Sequence, residues 1–584
     1  MIPVRFCGKL VADEMKGNDC MDFRKALGEA LAKELPIPVD DIISAIETPP
    51  DPNMGDFAFP CFKAAKALKT APPLIAQNVA EKMDKPDFIS EIRCAGPYLN
   101  FFVDRKVYIS RILEDVLAKK EDFGRSDEGG GKNIVIDYSS PNIAKPFHVG
   151  HLRSTVIGNA LYKIYEFLGY NSVGINHLGD WGTQFGKLIT AYKLWSSEEA
   201  VAEKGISELT RIYVKFHEEA ENNPSLEDEA RSFFVKMEQD DPEAIALWKK
   251  FYDISMVEFN RVYDMLGVKF DYFTGESFYN KKMAAVVQEL EDKGLLEESD
   301  GAKIVNLDAE KMPPCLIIRS DGGTLYATRD ITAALYRKKE YDFAKALYLT
   351  AMDQSLHFAQ WFKVVEKMGY DWAKDLIHVP FGLVSLKEGK LSTRTGRVVL
   401  MEDLLNTATA KVLSVIEEKN PTLENKEQVA KDVGIGAVIF NDLYNNRIKD
   451  VVFDMDKMTS FEGETGPYVQ YTHARCSSLI SKADTLPDSF DFGLLNDEAS
   501  LALCKLFEGF AGKIHDAADK DEPYLLTRHI MAIAQAFNKF YHDNPVLSCE
   551  DENLRNARLG VVFAVKTVLA TGLGLLGIKA PDRM

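Results

Sequence analysis

Paired cysteines, an excess of basic charge and long apolar runs are all scarce in this 584-residue chain, and each scarcity excludes a class of protein. The eight cysteines stand at positions 7, 20, 61, 94, 315, 476, 504 and 549 with no Cys-x-x-Cys pair, so neither a zinc site nor a disulfide scaffold is expected. Reduced thiols suit a cytoplasmic protein. Lys and Arg number 70 against 89 Asp and Glu, a net charge of −19 with His neutral. That balance excludes a surface coated for indiscriminate binding to DNA, but not RNA held by local basic patches. The first twenty residues, MIPVRFCGKLVADEMKGNDC, lack the apolar core of a secretory signal. Only Leu559 to Ile578 is long enough to span a bilayer. It holds Lys566, Thr567, Thr571, Gly572, Gly574 and Gly577, so a buried terminal helix ending in glycines is expected and no membrane anchor. Fixed-period repeats and low-complexity tracts are missing as well.

What is present is an ordinary globular mixture, 46% hydrophobic and 27% charged. The length allows roughly three or four domains at about 150 residues each. Residues 1–125 read as a small α+β domain, with a helix from Asp22 to Leu35, a Pro-rich loop ETPPDPNMGDFAFP that precludes regular structure, and a strand in PYLNFFVD. RSDEGGGK, ending at Lys132, is the clearest linker. The next domain, 131–400, opens with a β-branched run, Asn133 to Asp137, of the kind buried in a parallel sheet. A Pro/Gly turn follows, then an amphipathic helix on Leu152, Val156, Ile157, Ala160, Leu161, Ile164 and Leu168, the opening of a doubly wound α/β domain. A charged helical insertion covers about 196–298, after which KIVNL, CLIIR and ALYLTA are expected to complete the sheet. Beyond 400, five amphipathic segments predict a helical connector (401–460) and an all-α bundle (461–584).

The richest chemistry lies in SSPNIAKPFHVGH, residues 139–151, where a strand passes into a helix and free backbone N–H groups face any anion. His148 and His151, three apart, project from one side of the first turn, where two imidazole donors suit a phosphoryl group gaining charge during displacement. Gly150 admits a flat purine close to the backbone.

This segment resembles the HIGH region of class I aminoacyl-tRNA synthetases, and its flanks make it similar to the arginyl-tRNA synthetase family. Other resembling segments are NHLGDWGTQFGKL (176–188), LYATRDITAAL (325–335), DQSLHFAQ (353–360), VPFGLVSLKEGKLSTRTG (379–396) and FEGETGPYVQYTHAR (461–475), so the likeness covers roughly residues 22–584. It implies a Rossmann-like catalytic domain, an N-terminal domain that contacts tRNA and a helical anticodon-binding domain. The implied reaction joins L-arginine to tRNA(Arg) through an arginyl-adenylate, with ATP and Mg2+ as substrate complex, no organic cofactor, and a monomer as the working unit. The implied catalytic residues are Lys145, His148, His151 and Lys390, with His148, Gly150, His151, Lys390 and Ser392 at ATP.

The second phosphate motif departs from the family pattern. In Lys390-Leu-Ser-Thr-Arg394, Thr393 stands where the family's second lysine would be, and Lys145 or Arg394 is left to supply the missing charge.

Arginine itself can be argued from charge, since a planar, always protonated guanidinium is best matched by carboxylate oxygens at the ends of strands. The resemblance carries amino-acid binding to Asp137, Asn142, Tyr326, Asp330 and Gln354, with Asn142 at the α-amino or carboxylate end and Tyr326 and Asp330 at the guanidinium; Asp330 has the alternative of pairing with Arg329 or Arg337. Tyr468, Tyr471, His473 and Arg475 form an aromatic and basic cluster, of which Tyr471 and Arg475 are taken as tRNA-binding. The rival readings are a catalytically inactive synthetase-like RNA-binding protein, an adenylate-forming enzyme that does not use tRNA, and a class I synthetase for another amino acid.

Overall fold

The computed structural model describes residues 23–320, 322–387, 389–390, 399–483, 487 and 489–584, with Pro52, Leu386 and Lys390 described by backbone alone. Internal contacts divide the chain into two compact units. One is Met1–Phe123 with Leu479–Glu508 and Ala536–Thr567; the other is Gly124–Ser478 with Gly509–Gln535 and Val568–Met584.

In the first unit, helices Phe23–Ala32, Pro72–Lys82 and Arg105–Lys119 accompany a three-stranded antiparallel sheet. Its central strand, Tyr98–Val103, is the one expected from PYLNFFVD. The Pro-rich loop is less irregular than its prolines suggest, because Phe57–Pro60 forms an edge strand. Phe57 and Phe59 are buried there, and Pro60 sits at the strand end, where a missing donor is tolerated. Tyr108 is buried and its hydroxyl donates to Glu508 at 2.8 Å, while Lys505 pairs with Asp56.

The second unit is organised on a five-stranded parallel sheet. Its strands are β1 (Asn133–Asp137), β2 (Asn171–Asn176), β3 (Tyr272–Phe273), β4 (Lys345–Tyr348) and β5 (Leu376–His378), in the order β5-β4-β1-β2-β3. The order reverses between β1 and β4, so the crevice for a ligand lies beyond Asp137 and Tyr348, at the carboxyl ends of those two strands. Helix α1 (Leu152–Phe167) follows β1 with all seven of its predicted apolar residues buried. The charged stretch is helical up to the end of α2 (Pro242–Leu266), after which the chain re-enters the sheet at β3.

KIVNL and CLIIR do not complete that sheet. Ala302–Val305 and Cys315–Ile318 belong to a separate antiparallel sheet with Leu296–Ser299, and only ALYLTA supplies a parallel strand, β4. The reason is visible in their exposure: Glu297, Glu298 and Ser299 are all exposed and Val305 alone is buried in Ala302–Val305, which an antiparallel sheet permits and a doubly covered parallel one does not.

Helices α3 (Tyr326–Tyr341) and α4 (Ser355–Lys367) flank β4 in sequence, followed by α5 (Met401–Lys419), α6 (Lys426–Leu443) and α7 (Gly466–Ser481). Arg153, fully buried two residues past His151, ion-pairs with buried Asp442 of α6 at 2.9 Å and donates to the carbonyls of Gly382 and Lys449. The start of α1 is thereby fixed to the turn that leads toward Lys390. Helices Glu498–Asp519, Tyr524–Asp543 and Glu552–Leu575 complete the chain, the first of them absent from the five segments read in the sequence. Glu552–Leu575 is long and apolar enough to cross a membrane, yet Val561, Val562, Val565, Val568 and Leu569 are buried inside the protein. It ends as expected, with Gly577 at φ 74° and Ile578 N–H donating back to the Leu573 carbonyl.

Candidate active site

The turn after β1 is bent by three non-glycine residues in the left-handed region, Ser139 (φ 71°), Ser140 (48°) and Ala144 (59°). Such conformations cost about 1–3 kcal/mol each and persist only where the surroundings fix them. Here they do. Ser139 N–H donates to Ser154 Oγ at 2.8 Å, Ala144 N–H to Ser255 Oγ at 2.7 Å, and Ser140 Oγ to Asp137 Oδ1 at 2.9 Å. The turn after β2 clasps it: Ile143 N–H donates to Gly179 O, Gly179 N–H to Pro141 O, and a Cβ on Gly179 would lie 1.9 Å from Asn142 Oδ1. Glycine is required at 179 by that approach.

His148 caps a 3-10 turn, Val149–His151, that runs into α1. Its Nδ1 accepts from Gly150 N–H at 3.0 Å, and His151 Nδ1 accepts from His148 N–H at 3.2 Å. With Nδ1 of His148 occupied as an acceptor, the proton of that neutral imidazole stands on Nε2, while His151 Nδ1 lies 3.2 Å from both the N–H and the carbonyl of His148. Burial is the main cause that holds both rings below the usual histidine range, His151 down to about 3, and the Lys145 ammonium adds to it. The two imidazoles, tilted by 36° with centroids 4.0 Å apart, are therefore uncharged at neutral pH. Gly150 has a second reason to be glycine, since a Cβ there would lie 2.7 Å from His148 Cε1.

These two histidines line a cavity of about 620 Å³ at the carboxyl ends of β1 and β4. Asp137, Asn142, Gly150, Tyr326, Asp330 and Gln354 line it too, so eight of the predicted residues converge on one space. Lys145 is exposed and is not among the lining residues, although its charge acts on both imidazoles. Lys390 closes a two-residue strand with Gly389, described by backbone alone; Ser392 and Arg394 lie outside the described residues.

The structural alternative weighed for Asp330, an ion pair on its own helix, is not found. Asp330 pairs with neither Arg329 nor Arg337: Arg329 donates to Glu276 at 2.8 Å, and buried Arg337 ion-pairs with Asp137 at 2.8 Å. The partner of Asp330 is His357, whose Nε2 lies 2.6 Å from Oδ2. Burial pushes the Glu276 carboxyl up and Arg329 opposes that shift. Glu276, His177, Tyr348 and His357 all line the cavity and were missed in the sequence. His357 follows Gln354 by three at the start of α4, a spacing that could have found it.

In the helical region, Tyr471 is 40% exposed and Arg475, one turn later on α7, holds its guanidinium 4.9 Å from the Tyr471 ring centroid. His473 does not join this surface: it is buried, with Nδ1 3.0 Å from the Pro581 carbonyl.

With this geometry in place, comparison with known proteins is direct. Residues 21–103 match the arginyl tRNA synthetase N terminal domain, 112–455 the class I (R) tRNA synthetase catalytic domain, and 469–584 the DALR anticodon binding domain. The chain is 55% identical to an arginine–tRNA ligase of Alkaliphilus metalliredigens over 565 residues, covering 96% of this chain and all of the relative. It is 53% identical to that of Halothermothrix orenii over 566 residues, 97% of this chain and all of the relative. Among solved structures, an arginyl-tRNA synthetase of Thermus thermophilus superposes with a TM-score of 0.81 at 25% identity, over 96% of this chain and all of the other.

Proposed function

This chain belongs to the arginyl-tRNA synthetase family of class I aminoacyl-tRNA synthetases, and from that premise we propose how its residues share the reaction. The activity is that of an arginine–tRNA ligase. A carboxylate oxygen of L-arginine attacks the α-phosphorus of ATP, the bond to the bridging oxygen breaks, and pyrophosphate leaves behind arginyl-adenylate. A ribose hydroxyl of the terminal adenosine of tRNA(Arg) then attacks the arginyl carbonyl, and AMP leaves.

In-line displacement at phosphorus asks little covalent work of the protein, so positioning and electrostatics dominate. His148 and His151 donate Nε2–H to the α-phosphoryl oxygens as charge grows there. Because both rings are neutral, they give hydrogen bonds without holding pyrophosphate or the adenylate by charge. Lys390 and Ser392 take the β- and γ-phosphates of ATP, which enters as its Mg2+ complex, and Lys145 supplies the charge that Thr393 cannot. Asp137, Asn142 and Gln354 seat the ammonium and carboxylate of arginine, while Tyr326 and Asp330 take its guanidinium. Tyr471 and Arg475 offer a stacking face and a cation to unpaired tRNA bases. The enzyme works in the cytoplasm as a monomer.

One observation carries this reading: two neutral imidazoles and a set of paired acids open into the same cavity at the switch point of a parallel sheet. Pyrophosphate exchange with arginine, lysine and glutamine, each with and without tRNA, tests it. Exchange confined to arginine with tRNA present is the expected result; exchange driven by lysine or glutamine overturns the substrate, and no exchange in any arm overturns the activity. Lys145→Ala against Arg394→Ala in the same assay identifies the compensating cation, and a silent Lys145→Ala refutes its assignment.

A further inference from the structure

Lys390 is placed by a short hairpin. Its Cα lies opposite Ser385 where Gly389–Lys390 pairs with Val384–Leu386, and that strand runs parallel to Val451–Phe453. The stretch just before it is held at Gly382, whose N–H donates to the Arg447 carbonyl at 2.8 Å and whose carbonyl accepts from Arg153 at 3.0 Å. Beyond the hairpin the chain returns to the histidine turn, where Val149 N–H donates to the Val399 carbonyl at 3.1 Å.

The Arg447 side chain reaches further. Nη1 donates to the Pro380 carbonyl at 2.8 Å, two residues before Gly382, and Nε donates to the Asp521 carbonyl at 3.1 Å. Its backbone N–H donates to Glu522 Oε2 at 3.3 Å, and Glu522 Oε1 accepts from Asn446 Nδ2 at 3.0 Å. Burial pushes the Glu522 carboxyl up, and Arg447 opposes that shift. Asp521 stands in the left-handed region at φ 51°, and its carboxylate accepts from the Tyr165 hydroxyl in the last turn of α1 at 2.9 Å and from Lys345 at the start of β4 at 3.2 Å. Asp521 and Glu522 lie in the stretch that matches the anticodon binding domain. One turn of that stretch thus holds the far end of the helix that the two histidines open and, through Arg447, the root of the Lys390 hairpin.

We infer that Arg447 is a positioning residue for the phosphates of ATP: by tying Pro380 and Gly382 to the Asp521–Glu522 turn, it sets where Lys390 stands relative to His148 and His151. The inference rests on the arginine-ligase reading and deepens it. Arg447 needs no contact with a substrate to act in this way, since a misplacement of about 1 Å far from the reacting atoms can cost about 10²-fold. Arginine suits the task because its planar fork donates in two fixed directions, which the single ammonium of lysine does not.

The test is pyrophosphate exchange at saturating tRNA, with ATP and L-arginine titrated separately, on Arg447→Met, on Arg447→Met/Glu522→Gln and on each of these combined with Lys390→Ala. Arg447→Met is expected to lower kcat/KM for ATP about 10–10²-fold and to leave KM for arginine within about twofold. It also strands the Glu522 carboxylate and lowers the midpoint of urea unfolding; adding Glu522→Gln should restore the midpoint without restoring the use of ATP. In an enzyme that already carries Lys390→Ala, Arg447→Met should cost less than about threefold more, because the charge it positions is gone. Three results overturn the inference: recovery of kcat/KM for ATP together with the midpoint in Arg447→Met/Glu522→Gln, equal losses for arginine and ATP, or losses from Arg447→Met and Lys390→Ala that multiply in full. A silent Lys390→Ala overturns it as well. If the unmodified enzyme fails to exchange with arginine and tRNA, the ligase reading falls and the inference with it, so the unmodified enzyme tells the two failures apart.

Discussion

The histidine end and the acid end of the cavity are built by opposite means. His148 and His151 are oriented by their own turn, each ring accepting from a backbone N–H no more than three residues away. The acids are oriented from a distance: Glu276 by Arg329, 53 residues on, Asp330 by His357, 27 residues on, and Asp137 by Arg337 on a helix reached only after β3. A self-contained turn can be recognised from its residue types. Which acid meets a guanidinium and which meets an imidazole is decided by the fold.

The contrast predicts that damage at the acid end spreads into stability while damage at the histidine end stays in the chemistry. The largest effect is expected from Arg337→Met, which leaves Asp137 without its cation beside a buried sheet end and should destabilise by about 3–5 kcal/mol. A lowered midpoint of urea unfolding checks it, and adding Asp137→Asn should recover much of the loss, because the stranded charge is then gone. His151→Ala should cost about 2.7–4 kcal/mol of transition-state stabilisation, read as a 10²–10³-fold lower kcat in pyrophosphate exchange, with the unfolding midpoint little changed. If His151→Ala unfolds as readily as Arg337→Met, the division between a local and a distant end is broken. Next in size is Tyr471→Ala, another local arrangement, where losing a stacking face should weaken tRNA binding by about 1–3 kcal/mol without touching exchange driven by saturating tRNA. Filter binding at fixed salt measures it.

The same division explains what could be read in advance. The run from Asn133 through α1 was legible because each step is local: β-branched residues, a Pro/Gly turn, then a three-and-four rhythm whose members are all buried. KIVNL and CLIIR are equally good strands, and nothing in them says which sheet they join, since a strand's partners are chosen at long range. Phe57–Pro60 was hidden by its prolines, and burial of Phe57 and Phe59 outweighs them at a sheet edge. His473 shares the helix of Tyr471 and Arg475 but faces the buried side, where the Pro581 carbonyl meets it from the far end of the sequence. Family likeness named Asp330 and Asp137 as acids; only the folded chain reveals that one faces an imidazole and the other a guanidinium.

The smallest effect at working pH tests the neutrality of the histidine end. The folded protein holds His151 at about 3, below the ordinary 6.5 that the ring regains on unfolding. Below 6.5 the unfolded chain takes up a proton that the folded chain refuses, so the stability contributed by the neutral ring is complete above 6.5. It drains away as the pH falls from 6.5 toward 3. One such group sets a slope of roughly 1 kcal/mol per pH unit within that window. His151→Gln, which cannot titrate, should flatten the acid limb of the unfolding midpoint by that amount while leaving the profile above pH 7 unchanged. A limb equally steep in both proteins would mean that His151 is protonated in the folded state, and a charged ring would then grip pyrophosphate instead of releasing it.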